Sequence, residues 1–406
     1  MLQIKTLHVI ALDYPGGVET LFCDWLEASQ GGNLENHVLL TRGRAHPWFR
    51  DRLAKYAASV SHVKYLGPFK LPRRPRFLRR SHLRSSVSRV QPDIFLIYNS
   101  LGNLSLLRGA AHACPTAKKI HYEHGGAWTD HNVEEVANYF DRMEGVICNS
   151  YATQRVLELA WDCPTGLARV CRNGVRLPAP DRGHIPQELP LDGPLRIGFA
   201  GRLIPHKAPV LLLHVLAALR ETSERFELLV AGSGPEEEKM RKTAARLGLS
   251  DYVRFCGPVE NMPALYSRIN VLVCPSVREP LGNVVIEASF YGCPVVAAAV
   301  DGIPEVVMDS ETGRLVPPAL AVESYVDMGG SQGGMPRFFY DPAADDLAAP
   351  RLCNPEHMAQ AVRQVCRDAD DYRRMSAKAN ERITQEFSLT GYVNNLQEEL
   401  QQIAQT

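Results

Sequence analysis

The run Val271-Leu-Val-Cys-Pro-Ser-Val-Arg-Glu279-Pro-Leu-Gly-Asn-Val-Val-Ile-Glu287-Ala-Ser-Phe-Tyr-Gly292 decides how the chain is read. An apolar strand ends at Cys274, a short loop follows, and Pro280 is expected to open a helix that Gly292 closes. The first turn of that helix, Leu281-Gly282-Asn283, would offer backbone N–H groups and the positive end of the helix dipole to an anion. Gly282 lets a phosphate approach the backbone closely. Glu279 lies on the loop before this turn and Glu287 about two turns into the helix. A diphosphate at the turn would thus have a carboxylate on either side, each able to accept hydrogen bonds from sugar hydroxyls. An ordinary strand–helix unit carries the same residue types, because helix N-termini attract acids whatever their role.

Outward from this unit, short apolar runs alternate with amphipathic stretches, the pattern of a parallel sheet with helical crossovers. Strands are expected at 7–12, 37–40, 93–98, 119–124 and 145–148, then at 195–200, 226–231, 253–256, 271–274 and 295–299. Each half supports its own doubly wound domain, and 406 residues exceed what one core usually supports. Between the halves, residues 177–194 hold Pro178, Pro180, Pro186, Pro190 and Pro194 and read as a linker. Residues 381–403 read as two helices split around Phe387-Ser388-Leu389. The segment 319–353, with Gly329-Gly330-Ser331-Gln332-Gly333-Gly334, breaks the pattern; a structureless loop of that length is functional or disordered.

Lys+Arg and Asp+Glu both total 45, so net charge favours neither nucleic acid nor an acidic partner. The ten cysteines form no C-x-x-C pair, and Cys23, Cys148, Cys274 and Cys366 lie in apolar runs. Buried thiols in a reducing cytoplasm are expected, not disulfides or structural zinc. Met1-Leu2-Gln3-Ile4-Lys5 lacks the apolar core of a signal peptide, and no apolar run approaches the roughly 20 residues of a membrane span. The protein is expected in the cytoplasm, peripheral to the membrane at most.

Other constellations follow predicted strands. Leu195-Arg-Ile-Gly-Phe-Ala-Gly201-Arg202-Leu-Ile-Pro-His-Lys207 puts two cations at a strand's carboxyl end, where open α/β sheets bind ligands. Such a pair neutralises a diphosphate leaving group without a metal, although Arg and Lys on a solvated loop look the same. Gly16-Gly17 opens the helix after the first strand, allowing either a tight turn or close approach of a ligand. His121-Tyr-Glu-His124 has metal-like spacing, but residues three apart on a strand face opposite sides. His124 alone, beside Gly125-Gly126, suits contact with a substrate hydroxyl or a place in the core. Asp368-Ala-Asp370 follows a helical run and reads as a solvated helix end, not a metal motif; Gly232-Ser-Gly234 lacks the third glycine of a dinucleotide fingerprint. From Arg52 to Pro92 there is no acid, and Arg73, Arg74, Arg79 and Arg80 interleave with Tyr65, Phe69, Phe77 and Leu78. These four arginines are expected to face an anionic membrane, with a solvated basic face as the plain alternative.

Together these features resemble glycosyltransferase family 4, the retaining GT-B group. The resemblance runs through Gly16-Gly17, His124, Asn173-Gly174-Val175, Gly201-Arg202…Lys207, Gly232-Ser-Gly234, the Glu279/Glu287 pair, Gly302-Ile-Pro-Glu305 and Phe387-Ser388. It implies an α/β fold of two Rossmann-like domains facing across a cleft, with a C-terminal helix returning to the first. Residues 1–180 would bind acceptor, 191–375 the nucleotide sugar, and 376–406 would cross back. By this resemblance His124, Arg202, Lys207 and Glu279 are catalytic. Gly16, Gly17, Gly201, Leu281, Gly282, Asn283 and Glu287 bind the donor, a UDP- or GDP-sugar, with no metal and no other cofactor. The acceptor is a glycan or lipid-linked glycan, as in bacterial envelope polysaccharide or lipopolysaccharide synthesis. A nucleotide-sugar epimerase or phosphorylase on the same fold is the alternative. Arg176 and His206 depart from the family pattern, and 319–353 has no counterpart in it.

Overall fold

The computed structural model describes residues 3–176, 187–190, 192–223 and 225–405. They form two units: one runs to Arg176 and resumes at Ser388, and the other lies between. Of the linker reading, residues 177–186 and 191 lie outside the described residues. Gln187 already belongs to the second unit, where its side chain donates to the carbonyls of Tyr266 and Tyr291 at 3.0 and 3.1 Å.

Among the described residues, the first unit is built on seven parallel strands. Their spatial order is Ser59–His62, Leu34–Leu40, Ile4–Ile10, Ile94–Tyr98, Lys118–Glu123, Gly145–Cys148, Ala168–Val170. The second has six, ordered Val253–Gly257, Phe226–Ala231, Leu195–Ala200, Val271–Cys274, Val295–Ala298, Gly313–Val316. Both are doubly wound: the chain builds outward from a central strand, then crosses to its other side. Each unit is Rossmann-like. Expected strands are present with ends shifted by up to three residues; 7–12 is Ile4–Ile10. Ser59–His62, Ala168–Val170 and Gly313–Val316, short strands at the sheet edges, were not anticipated.

Helix Leu389–Gln405 returns to the first unit. Its buried residues Leu389, Tyr392, Val393, Leu396, Leu400 and Ile403 recur at helical spacing and join the core around Trp25 and Tyr122. The Tyr122 and Tyr392 hydroxyls meet at 3.2 Å. The preceding helix, Ala369–Glu386, stays in the second unit against Asn283–Phe290. Arg176 is held in the first unit, sharing Asp24 and Glu27 with Arg52.

The segment 319–353 is not a structureless loop. Pro318–Ala321 pairs antiparallel with Arg351–Cys353, Phe339–Asp341 with Asp346–Ala348, and a short helix, Ser324–Asp327, lies between. Tyr325, Phe339, Tyr340 and Leu352 are buried, so the segment has apolar anchors that its glycines concealed.

Candidate active site

In the second unit, strand order reverses between Leu195–Ala200 and Val271–Cys274. Ligands of open α/β sheets bind outside the carboxyl ends of strands at such a switch point. The loops leaving these two strands carry Gly201–Lys207 and Ser276–Gly282, and the N–H of Val277 donates to the carbonyl of His206 at 2.9 Å. The Lys207 ammonium forms an ion pair with the Glu279 carboxylate. Ser276 Oγ donates to the same Glu279 oxygen at 3.3 Å. The pair is mostly covered: only 18% of the Lys207 side chain and 11% of the Glu279 side chain are exposed. Arg202 is exposed.

The helix begins later than Pro280 predicts. It spans Asn283–Phe290, because Gly282, its N-cap, has φ 91° in the left-handed region and cannot be helical. Glu279, Pro280 and Leu281 form the loop before it. Glu287 points to the buried Tyr266, whose hydroxyl donates to it at 2.9 Å. His206 lies among cations: burial first, then Arg278, Lys207 and Arg202, push its pKa down to about 3, so the ring is neutral.

Glycines set the first loop's position. A Cβ at Gly232 (φ 138°) would meet the Gly201 carbonyl oxygen at 1.8 Å, and one at Gly234 (φ 157°) the Leu203 carbonyl oxygen at 2.4 Å. Gly232-Ser-Gly234 therefore serves close packing of this loop on the Gly201–Leu203 backbone. Ser276, Arg278 and Asp301 were missed from sequence. Arg278 could have been noticed beside Glu279; Asp301 could not, since its role depends on a fold-back described below.

In the first unit, Gly16 is the extended N-cap (φ −143°) of helix Gly17–Ala28. His121 and His124 face different surroundings. His121 meets the Tyr139 hydroxyl at 3.2 Å and Glu123 at 2.9 Å. Burial alone would raise the Glu123 carboxyl, but His121 and the N–H groups of Gly125 and Ala127 hold it below its usual range. His124 is buried against Tyr122, ring centroids 4.1 Å apart, and stacks on Tyr98. Among the described residues, neither of its ring nitrogens has a hydrogen-bond partner, unlike a satisfied core histidine. Burial lowers its pKa to about 3.

The basic segment folds as a hairpin, Tyr65–Leu66 with Phe69–Lys70, and a helix, Arg76–Val90. Arg73, Arg74 and Arg80 are exposed, and so are Leu66, Phe69 and Phe77. Arg79 differs, since its guanidinium donates to the Leu71 carbonyl at 2.7 and 3.2 Å. Asp368 is the N-cap of Ala369–Glu386, accepting from the N–H groups of Asp370 and Asp371. No described helix is long and apolar enough to cross a membrane.

Residues 181–328 match the family model Glycosyl transferases group 1. Over 130 residues the chain is 44% identical to a D-inositol 3-phosphate glycosyltransferase of Streptomyces bingchenggensis, a match covering 29% of each. It thus spans under a third of that relative. To the lipopolysaccharide core biosynthesis glycosyltransferase LpsE of Rhizobium meliloti it is 25% identical over 361 residues, 87% of this chain and 94% of LpsE. Anabaena HepE in complex with UDP and glucose has a TM-score of 0.73 at 18% identity, covering 98% of this chain and all of the other. The lipopolysaccharide outer core galactosyltransferase WaaB has a TM-score of 0.68 at 15% identity, covering 98% and 99%. These likenesses establish the fold as GT-B.

Proposed function

We propose that this chain is a retaining glycosyltransferase that moves a sugar from a nucleoside diphosphate to a glycan or lipid-linked acceptor. The observation that carries the reading is the Lys207–Glu279 pair at the switch point, beside a helix N-terminus capped by Gly282. Arg202, Lys207 and the N–H groups of Leu281–Asn283 are assigned to the diphosphate. The bond from the sugar's anomeric carbon to the diphosphate oxygen breaks, and the negative charge that develops is met by fixed cations and dipoles. The acceptor oxygen bonds to the same carbon from the same face, and its proton goes to the departing phosphate oxygen. Glu279 orients the sugar hydroxyls once Lys207 turns to phosphate, and Glu287 is assigned to the ribose. Gly201 keeps the loop close to the phosphates. In the first unit, His124 and the Gly16–Gly17 turn are assigned to substrate hydroxyls, since an unpartnered buried imidazole is ready to bond one.

No step requires a metal, and chelator is expected to leave the rate unchanged. Similarity to LpsE supports a lipopolysaccharide-type acceptor, and HepE, bound to UDP and glucose, supports a UDP-sugar. The exposed Arg73, Arg74 and Arg80 beside Phe69 and Phe77 suit a peripheral contact with anionic lipid on the cytoplasmic face. Thermal melting with UDP-, GDP- and ADP-sugars tests the donor: one should raise the melting temperature, because a ligand of the native state stabilises it. Absence of any shift, or an altered free sugar formed without acceptor, would overturn the reading.

A further inference from the structure

The segment between Pro318 and Cys353 grips the candidate donor site from behind, and one carboxylate makes the connection. Asp301 is 1% exposed. Its Oδ2 accepts the backbone N–H of Glu279 at 2.7 Å, and its Oδ1 accepts the backbone N–H of Tyr340 at 2.7 Å. The N–H of Asp301 in turn donates to the Tyr340 carbonyl at 2.9 Å, so Tyr340 is held at both backbone groups. The N–H of Gly302 donates to the Glu279 carbonyl at 3.2 Å. Both backbone groups of Glu279 are therefore fixed by Asp301-Gly302.

The contact admits no slack. A Cβ at Gly302 would come within 2.1 Å of the Pro280 carbonyl oxygen. Asp301 itself has φ 46°, a left-handed conformation that asparagine and aspartate tolerate better than other side chains. The segment is anchored independently elsewhere. The N–H and hydroxyl of Ser331 donate to the buried carboxylate of Glu236, and the Tyr325 hydroxyl accepts the N–H of Val210. Near its glycines, a Cβ on Gly334 would reach Pro205 at 2.9 Å, on the loop that carries Lys207. The same segment thus reaches the Gly201–Lys207 loop at Pro205 and the Glu279 loop through Asp301.

We propose that Asp301 is a positioning residue that fixes the Glu279 loop, with the 318–353 segment as its abutment through Tyr340. The proposal rests on the assignment of Glu279 to the donor sugar. Carboxylates that accept two backbone N–H groups hold them more firmly than neutral acceptors do. Loss of this clamp leaves the diphosphate contacts in place but loosens the carboxylate that orients the sugar.

Three variants test it: Asp301→Asn, Asp301→Gly and Glu279→Gln, each assayed for release of nucleoside diphosphate from UDP-, GDP- and ADP-glucose and for binding of UDP, GDP and ADP. Asp301→Gly relieves the left-handed backbone while removing the acceptor. If Asp301 only serves the backbone, that variant keeps full kcat. The clamp instead requires kcat to fall at least tenfold in Asp301→Gly and less in Asp301→Asn, with nucleotide affinity changed under threefold. The double variant Glu279→Gln/Asp301→Gly should be no slower than Glu279→Gln, because the two act as one unit. Full kcat in both Asp301 variants beside a slow Glu279→Gln overturns the clamp alone. Full activity in Glu279→Gln overturns the donor-site assignment itself, and the clamp with it. Should Asp301→Gly not fold, Asp301→Asn decides by the same measurements.

Discussion

Lys207 and Glu279, 72 residues apart in the chain, meet as an ion pair at the carboxyl ends of two neighbouring parallel strands. The pair balances a mostly covered site of both signs, so the two residues depend on each other before any ligand arrives. Lys207→Ala should cut transfer at least tenfold, about 1.4 kcal/mol of lost stabilisation of the leaving group. It should also lower stability by roughly 1–3 kcal/mol, because among the described residues Glu279 keeps the Ser276 hydroxyl alone on that oxygen. Arg202→Ala, on an exposed side chain, should match the kinetic loss with an unchanged melting temperature. Rates under saturating donor and urea titrations of both variants decide this.

Acid should weaken the first unit through histidines it keeps neutral. Burial lowers the pKa of His8 to about 4 and of His124 to about 3. Below about pH 6.5 the unfolded chain takes up protons that the native state refuses, so stability is full above that value and falls as pH drops toward 3. At about 1.4 kcal/mol per unit of pH, each histidine accounts for roughly 2 kcal/mol between pH 7.5 and 5. Denaturant titrations across that range should show the slope, and His124→Asn should reduce it. A slope unchanged in the variant refutes the assignment.

Ligand should be visible at His206. Arg278, Lys207 and Arg202 help to hold its ring neutral, so a bound diphosphate that offsets their charge should raise its pKa. Titration of the imidazole by NMR with and without UDP measures the shift; no change would place the diphosphate elsewhere.

Membrane contact should depend on three of the four arginines. Replacing Arg73, Arg74 and Arg80 with Ser should weaken binding to phosphatidylglycerol vesicles, by up to about 1 kcal/mol per cation, and rising salt should mimic the loss. Donor hydrolysis should be spared. Arg79→Ser should instead destabilise the turn that it ties at Leu71. Flotation that ignores salt would show a solvated face.

Gly232→Ala should misplace the loop of Gly201–Lys207, since its new methyl group meets a backbone oxygen that cannot move without the loop. Loss of both stability and nucleotide binding is expected, measured by melting and by calorimetry.

The central strands were legible because burial on both faces demands unbroken apolar runs such as Val271–Cys274. Edge strands were not: Ser59–His62 is half exposed and carries two serines and a histidine. Lys207 and Glu279 could each be found at a strand end, but their pairing needed the strand order. Asp301 gave no sign, since a side chain that accepts backbone N–H groups leaves no pattern in sequence. The late helix start likewise came from one glycine torsion that Pro280 outweighed in reading. In 319–353 the paired glycines masked buried anchors such as Tyr325, Phe339 and Leu352, whose spacing follows no regular period.

The return of helix Leu389–Gln405 to the first unit has a consequence for synthesis on the ribosome. Everything that builds the second unit is translated before this helix, whereas the first unit waits for it with Trp25 and Tyr122 short of their cover. Val175 pairs with Ser388, so the seam closes only when the nascent chain has come back to the same spot. The unit begun first is therefore completed last, and premature termination after Phe387 would leave a finished second unit joined to an unsealed first one.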